Sequence, residues 1–213
     1  MIKQFGIRCS QVTETLRSGG LIPLFKKTVC WNREIILVEK NLFKFNLKPK
    51  SNSDANLKFI KITKKSADKF KKLACPLRSR RLKLRNNLIN GYHAFAVTKN
   101  SEVLGDLWYV ARNNLEEECN HPDLKWLGVR LAPKEAYLFD MYIDPKKRGG
   151  GLVNFLFSQS LEALKKQGFA KVYGFYEADN FPALWMHRTM GYEEIERRKL
   201  KKLFSFGISD VIH

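Results

Sequence analysis

The sequence predicts an α/β (α+β) fold, a mixed central sheet flanked by helices. Three observations predict it. Short runs rich in β-branched and aromatic residues, several with apolar–polar alternation, recur from residue 34 onward. Between them lie segments with apolar residues at helical spacing, most of them closed by a glycine. Hydrophobic residues make up 44% of the 213, enough for a core, yet no apolar run approaches the roughly 20 residues of a membrane-spanning helix.

The elements follow in order. Residues 8–29 are mildly helical, and Gly19-Gly20 and Pro23 break them into two short helices. Glu34–Lys40 (EIILVEK) reads as a strand and Leu47–Asp54 as a polar linker. The chain therefore divides into a small basic helix–strand extension, residues 1–52, and a main domain, residues 53–213. There, Leu57–Thr63 alternates and reads as a strand, and Ser66–Leu73 as a helix that Pro76 ends. Arg78–Ile89 is a second, very basic helix closed by Gly91. Ala94–Val97 and Val103–Val110 are strands joined by a turn at Lys99-Asn100-Ser101. Residues 112–134 form a polar loop with two prolines, long enough to suggest a functional one. Ala136–Ile143 is a strand. Gly151–Gln167 is a helix with Val153, Leu156, Phe157, Leu161 and Leu164 on one face, stopped by Gly168. Ala170–Tyr176 is a strand and Phe181–Met190 a helix ended by Gly191. Two short strands follow, near Glu193–Arg197 and Leu203–Gly207.

The net charge is +18, from 39 Lys+Arg and 21 Asp+Glu, and residues 1–111 carry +16 of it. The densest stretch, Lys58–Arg85, has Asp68 as its only acid. It is either a surface for an acidic ligand or a set of solvated helix faces. Cys9, Cys30, Cys75 and Cys119 show no CxxC spacing and no apolar leader precedes them. That excludes a disulfide scaffold and points to a reducing, cytoplasmic setting. His93, His121 and His213 show no metal-ligand spacing, so no metal is predicted.

The chemistry begins at Ile143-Asp144-Pro145-Lys146-Lys147-Arg148-Gly149-Gly150-Gly151-Leu152. A strand runs into a glycine-rich turn that opens a helix. Glycines let the backbone turn tightly, and the first helical turn offers unpaired N–H groups and the positive dipole end to an anion. Lys146, Lys147 and Arg148 add charge at the mouth. No Gly-Lys-Ser/Thr follows, so the loop is not a Walker A site, and it does not fit GxGxxG. Downstream, Asn180-Phe181-Pro182-Ala183-Leu184 leads through His187 to Met190-Gly191-Tyr192.

This pair of segments resembles the Gcn5-related N-acetyltransferases (GNAT). Arg148 and Gly151 fall on the first two fixed positions of that family's coenzyme-A loop, and Asn180, Ala183, Gly191 and Tyr192 on its following helix motif. The resemblance spans roughly residues 57–207. It implies a GNAT-like sheet whose fourth and fifth strands, here Ala136–Ile143 and Ala170–Tyr176, splay around acetyl-CoA as acyl donor. It implies that the pyrophosphate lies on backbone N–H groups of Arg148, Gly149, Gly150, Gly151, Leu152 and Val153. The pantetheine arm then lies along Met141, Tyr142 and Ile143, with Asn180 nearby. Transfer to an amine is direct.

Two departures matter. Val153 replaces the loop's last Gly/Ala, which places methyls near the cofactor. His187 stands where the family commonly has a tyrosine that protonates the leaving thiolate; its alternative is simple helix packing. The base is open between Asp140, Glu177 and, through water, Tyr142. Related small-amine acetyltransferases often carry Glu-Asp on the fourth strand, where this chain has Phe139-Asp140, and alternation puts those two on opposite faces. Glu116-Glu117-Glu118 is either a site for a cationic acceptor or a solvated loop.

The first two helices of the family line the acceptor side. Here they are basic, through Lys69, Lys72, Arg78, Arg81 and Arg85, which favours an anionic acceptor. The expected activity is acetyl transfer to a primary amine of an anionic small molecule, with an amino sugar of a surface-polysaccharide pathway first. The alternative is a GNAT fold of little or no activity that docks on anionic membrane or nucleic acid, peripheral at the inner membrane face. Residues 1–50, through Leu16-Arg17-Ser18-Gly19-Gly20-Leu21 and the hydrophobic strand after it, loosely resemble an N-terminal piece of acetyltransferases of bacterial surface-polysaccharide pathways; packing extension and homodimerisation element are the other readings.

Overall fold

The computed structural model describes residues 7, 10–14, 30–44, 56–66, 77–115, 119–148, 151–203 and 210–212. Several sequence expectations lie outside them: most of the two N-terminal helices, the 47–54 linker, all but the first residue of Ser66–Leu73, Glu116–Glu118, Gly149 and Gly150. Eight strands form one mixed sheet: β1 (Cys30–Asn41), β2 (Lys58–Ile62), β3 (His93–Lys99), β4 (Glu102–Arg112), β5 (Glu135–Ile143), β6 (Lys171–Glu177), β7 (Glu193–Leu203) and β8 (Asp210–Ile212). Their order across the sheet is β2-β3-β4-β5-β6-β1-β7-β8. Among the described residues, the helices whose bounds are resolved are α1 (Arg78–Ile89), α2 (Pro122–Trp126), α3 (Leu152–Lys166) and α4 (Phe181–Thr189), and residues 10–14 are helical as well.

β2 to β5 form an antiparallel meander. Asn100 (φ 49°) and Ser101 (φ 63°) both sit in the left-handed region between β3 and β4, the backbone twist that a two-residue hairpin needs. β5 and β6 are parallel, joined by the crossover through α3. β1, the strand expected in the N-terminal extension, lies inside the sheet. It pairs antiparallel with β6 on one edge and with β7 on the other. Its buried apolar run Ile35–Val38 suits that two-sided position. Residues 30–41 and the strands after residue 170 thus share one ladder across the expected boundary at 52/53.

The strand expected near Glu193–Arg197 is longer in the structure, and of the one expected near Leu203–Gly207 all but Leu203 lies outside the described residues. β7 is one 11-residue strand carried along the length of β1, and β8 follows at Asp210–Ile212. The 112–134 loop is not fully irregular: it holds α2, whose first turn is capped by His121 Nδ1 accepting from the Asp123 N–H at 3.2 Å.

The core lies in two layers. One face of the sheet packs Val38, Leu138, Val172 and Tyr176 against α3 and α4, through Leu156, Phe157, Leu161, Leu164 and Met186. The other packs Ile35, Leu37, Trp108 and Tyr137 against α1 and α2, through Leu88 and Leu124. Lys40, only 2% exposed, belongs to the α4 side; its ammonium donates to the Gly191 carbonyl at the end of α4 (3.4 Å). Among the described residues, no helix is long and apolar enough to cross a membrane.

Candidate active site

The site is a gap inside the sheet. β5 and β6 pair only at Glu135↔Lys171, Ala136↔Val172 and Tyr137↔Tyr173, although both strands continue, to Ile143 and Glu177. The other edge of β5 stays bonded to β4, but with a bulge: Asp106 faces Tyr142 and Trp108 faces Phe139, so Asp140 and Met141 together oppose Leu107. Asp140 takes φ 48° there, a left-handed conformation that costs an L-residue about 1–2 kcal/mol. A bulge bends its strand, and this one turns β5 away from β6. Gly105, opposite Ile143, permits the close approach, since a Cβ there would lie 2.9 Å from the Tyr142 carbonyl oxygen.

The bulge also overturns one expectation. Simple alternation puts Phe139 and Asp140 on opposite faces. Phe139 does pack on the α1 side, 5.3 Å edge-on to Tyr92 and 4.1 Å from the His121 ring. The left-handed turn then brings the Asp140 carboxylate to that same side. It accepts from Arg80 Nη1 at 2.8 Å and from Lys83 Nζ at 3.1 Å. Arg80, 8% exposed on α1, also pairs with buried Asp106, which in turn accepts from the Trp108 indole N–H at 2.9 Å. Burial alone would raise the Asp140 carboxyl. The Arg80 and Lys83 cations outweigh it and hold Asp140 below the ordinary carboxylate value.

A cavity of about 480 Å³ occupies the gap and draws its lining from both faces of the sheet. On the α3/α4 side stand Leu138, Phe157, Tyr176, His187 and Tyr192. On the α1/α2 side stand Arg33, Phe139, Phe175 and Glu177. Arg33, from β1, pairs with Glu177 at the end of β6. Phe175 meets the Trp126 ring edge-on at 5.2 Å.

His187 is held tightly. Its Nδ1 lies 2.8 Å from the Ala183 carbonyl oxygen, which can only accept, so Nδ1 carries a proton and Nε2 holds the lone pair of the neutral ring. The ring stacks on Tyr176 at 5.1 Å and meets Tyr192 at 5.0 Å. Burial pushes its pKa below 6.5, with the Ala183 hydrogen bond opposing. The side chain therefore both packs against the helix and lines the cavity, so the two readings from sequence are not exclusive. The Tyr192 hydroxyl is buried without a hydrogen-bond partner among the described residues.

The loop end of the gap is built by β5 and α3. Asp144 accepts from the Lys146 N–H (3.0 Å) and holds the short 3₁₀ turn Pro145–Lys147. Lys146, Lys147 and Arg148 are exposed. Gly151 (φ 77°) starts α3 with no side-chain cap, and the first helical bond is Phe155 N–H to Gly151 O at 2.8 Å. The N–H groups before Phe155 are thus left without intrahelical acceptors. Among the described residues, a Cβ at Gly151 would meet nothing within 4 Å. Val153 packs its side chain into the α3-side core. Asn180 caps α4 through its amide oxygen, which accepts from the Ala183 N–H at 3.2 Å.

The structure thus brings His187, Asp140, Met141, Glu177 and Asn180 to one cavity. Tyr142 lies on the bulged strand outside the cavity lining, under the Arg80 guanidinium at 5.0 Å. Sequence reasoning missed Arg33, Phe175 and Arg80. For Arg80 a signal existed: it shares a helical face with Leu84 and Leu88 at spacing i, i+4, i+8. Arg78, Arg81 and Arg85 are exposed, so the basic helix splits into a solvated face and one buried cation.

The residues present fit an acyl-CoA: an uncapped helix N-terminus for phosphate, an interior strand edge for amide groups and a cavity between the two strands. Comparisons agree. Residues 65–192, more than half of the chain, match the acetyltransferase (GNAT) family. A mycothiol acetyltransferase of Saccharomonospora viridis is 37% identical over 54 residues, which are 25% of this chain and 18% of that protein. Among solved structures, a Drosophila protein superposes with a TM-score of 0.55 at 14% identity, over 93% of this chain and 58% of its own. A tandem GNAT protein from the clavulanic acid biosynthesis pathway does so with a TM-score of 0.53 at 14% identity, over 84% and 55%. This chain spans less than a fifth of that mycothiol acetyltransferase and little more than half of each of the two structures. With the strand gap, the uncapped α3 N-terminus and the family match in agreement, the chain belongs to the GNAT acetyltransferase family.

Proposed function

We propose that this protein transfers an acetyl group from acetyl-CoA to the primary amine of a small molecule that carries an anionic group. The observation that carries the reading is the gap between β5 and β6, lined from one face by α3 and α4 and from the other by Arg33, Phe139 and Phe175. Two reactants can enter from opposite faces and meet inside the sheet, which removes most of the entropic cost of bringing them together.

Bound acetyl-CoA supplies an activated thioester carbonyl. The N–H groups at the start of α3, with Arg148 beside them, suit its pyrophosphate. Met141, Tyr142 and Ile143 present a strand edge to the pantetheine amides, and Asn180, its oxygen used by the cap, offers its Nδ2 donor. Val153 is partly buried against the core, which supports a path for the cofactor past its methyls.

His187 is neutral at rest, which is the wrong state for an acid and the right one for a relay. Its Nε2 accepts a proton from the attacking nitrogen and passes it to the departing sulfur. Asp140 is already held by two cations, so its work is to fix the bulge rather than to act as base. Glu177 is the carboxylate at the acceptor mouth. The anionic acceptor is supported by Arg33 at the cavity and by the exposed Arg78, Arg81 and Arg85 on α1.

The test is release of the CoA thiol from acetyl-CoA with a panel of primary amines bearing a carboxylate or phosphate. Amine-dependent release above the amine-free rate is expected. No release from any of them at millimolar acetyl-CoA contradicts the reading.

A further inference from the structure

We propose that the Arg33–Glu177 pair is a receptor for a zwitterion, and that the acceptor is an α-amino acid with an aromatic or large apolar side chain. This rests on the acetyl-transfer reading above and names its acceptor.

Arg33 and Glu177 are in direct contact at the cavity, with side chains 27% and 33% exposed. The pair is thus reachable from solvent yet partly sheltered, where charge–charge contacts are stronger than at a bare surface. A guest that replaces a contact ion pair must present its own opposite charges close together. An α-amino acid does so, with ammonium and carboxylate on one carbon: the carboxylate takes the Arg33 fork and the ammonium takes Glu177. A cation without a carboxylate takes Glu177 from Arg33 and puts no anion in its place. An anion without an amine takes Arg33 from Glu177 and puts no cation in its place. The pair therefore rejects both.

The rest of the pocket says what else the guest carries. On the same face the lining is Phe139 and Phe175, backed by the rings of Tyr92, His121 and Trp126. Phe139 lines the cavity together with Arg33 and Glu177, so the wall is apolar beside the ion pair. That combination suits a side chain such as benzyl and offers nothing to a polyamine.

The balance of the step is simple. The ammonium gives one proton to the Glu177 carboxylate, which returns it to solvent. The nitrogen forms a bond to the acetyl carbon as the carbon–sulfur bond breaks. A second N–H proton passes through His187 Nε2 to the sulfur, and the third stays on the amide. The products are the N-acetylamino acid and the CoA thiol.

The probes are L-phenylalanine and phenethylamine, which differ only in the carboxylate, assayed by thiol release. The wild-type protein is expected to favour L-phenylalanine in kcat/KM by about 10²-fold or more, the scale on which a site built for a polar group discriminates. Arg33→Gln should raise the KM for L-phenylalanine and bring the ratio of the two probes close to one. Glu177→Gln should lower kcat about 10²–10⁴-fold with KM changed only a few-fold, and its rate should follow the free-amine fraction as pH rises. Near-equal use of the two probes by the wild type, or a ratio that survives Arg33→Gln, overturns the proposal. Titration with acetyl-CoA on the same preparation separates the two readings. If acetyl-CoA binds but neither probe is acetylated, the zwitterion proposal falls and the cofactor reading stands. If acetyl-CoA does not bind, both fall.

Discussion

Arg80→Met is expected to destabilise the protein by about 3–5 kcal/mol, the usual cost of removing one partner from a buried ion pair. The cause is specific. Arg80 is the cation shared by Asp106 and Asp140, and methionine fills much of its volume while leaving Asp106 uncompensated and Asp140 with Lys83 alone. Against a total of about 5–15 kcal/mol, that leaves a barely folded chain. The pH dependence identifies the mechanism. In the wild type the folded-state pKa of Asp140 is depressed, so its contribution is present above the unfolded value near 3.9 and is lost as pH falls through the lower folded value. Burial already raises the Asp106 carboxyl in the wild type, against the pull of Arg80; without Arg80 it rises further and Asp140 rises too, so the variant gains more stability than the wild type as they protonate. Urea unfolding at pH 7 and pH 4.5 should show the variant's deficit shrinking at the lower pH. A deficit independent of pH would mean that lost packing, not uncompensated charge, is responsible.

His187→Phe is expected to lower kcat about 10²–10⁴-fold, the range for loss of a positioned proton-transfer group, with little loss of fold. Phenylalanine keeps the stacking on Tyr176 and the contact with Tyr192; only the nitrogens go. The wild-type pH profile carries the sharper information. If His187 works as the neutral relay, its activity falls as pH drops through a pKa below 6.5, because the protonated ring can no longer accept. If it works as an acid, as the thiolate-protonating tyrosine of the family implies, activity falls instead as pH rises through that pKa. The groups that touch the ring do not confuse the window: burial holds the Tyr176 phenol up to about 12 and Tyr192 well above 10. A wild-type acid limb that disappears in His187→Phe supports the relay. A limb unchanged by the substitution removes His187 from the chemistry. Linkage has the same sign: a histidine with a depressed folded pKa leaves the unfolded chain binding more protons, so stability also declines below about pH 6.5.

The chain's own residues show what sequence can and cannot disclose. The helix Arg78–Ile89 is read to the residue, because its ends carry strong signals: Pro76 before it and Gly91 after it. The strand–loop–helix around Gly151 was equally legible, since it depends on local backbone chemistry. The place of β1 was not. EIILVEK reads as a strand on its own, but nothing local says that it slots between β6 and β7, because that is decided by which open edges exist once residues 171–203 have folded. Arg33 was invisible for the same reason: it reaches the cavity only through β1's position. The Asp140 bulge was hidden because alternation is the default, and a single left-handed residue cancels it. The basic residues of the first two expected helices pointed to a cationic acceptor side. The structure shows a finer division, with exposed arginines on α1, one arginine buried to hold the bulge and one paired at the mouth.

The central claim is that the gap between β5 and β6 is the cofactor slot. A crystal structure with acetyl-CoA bound tests it most directly. The account predicts the pyrophosphate on the N–H groups that open α3, the pantetheine amides along Met141–Ile143, and the thioester in the cavity beside His187. Acetyl-CoA seated elsewhere, or a gap filled by protein with the cofactor excluded from it, would contradict the account.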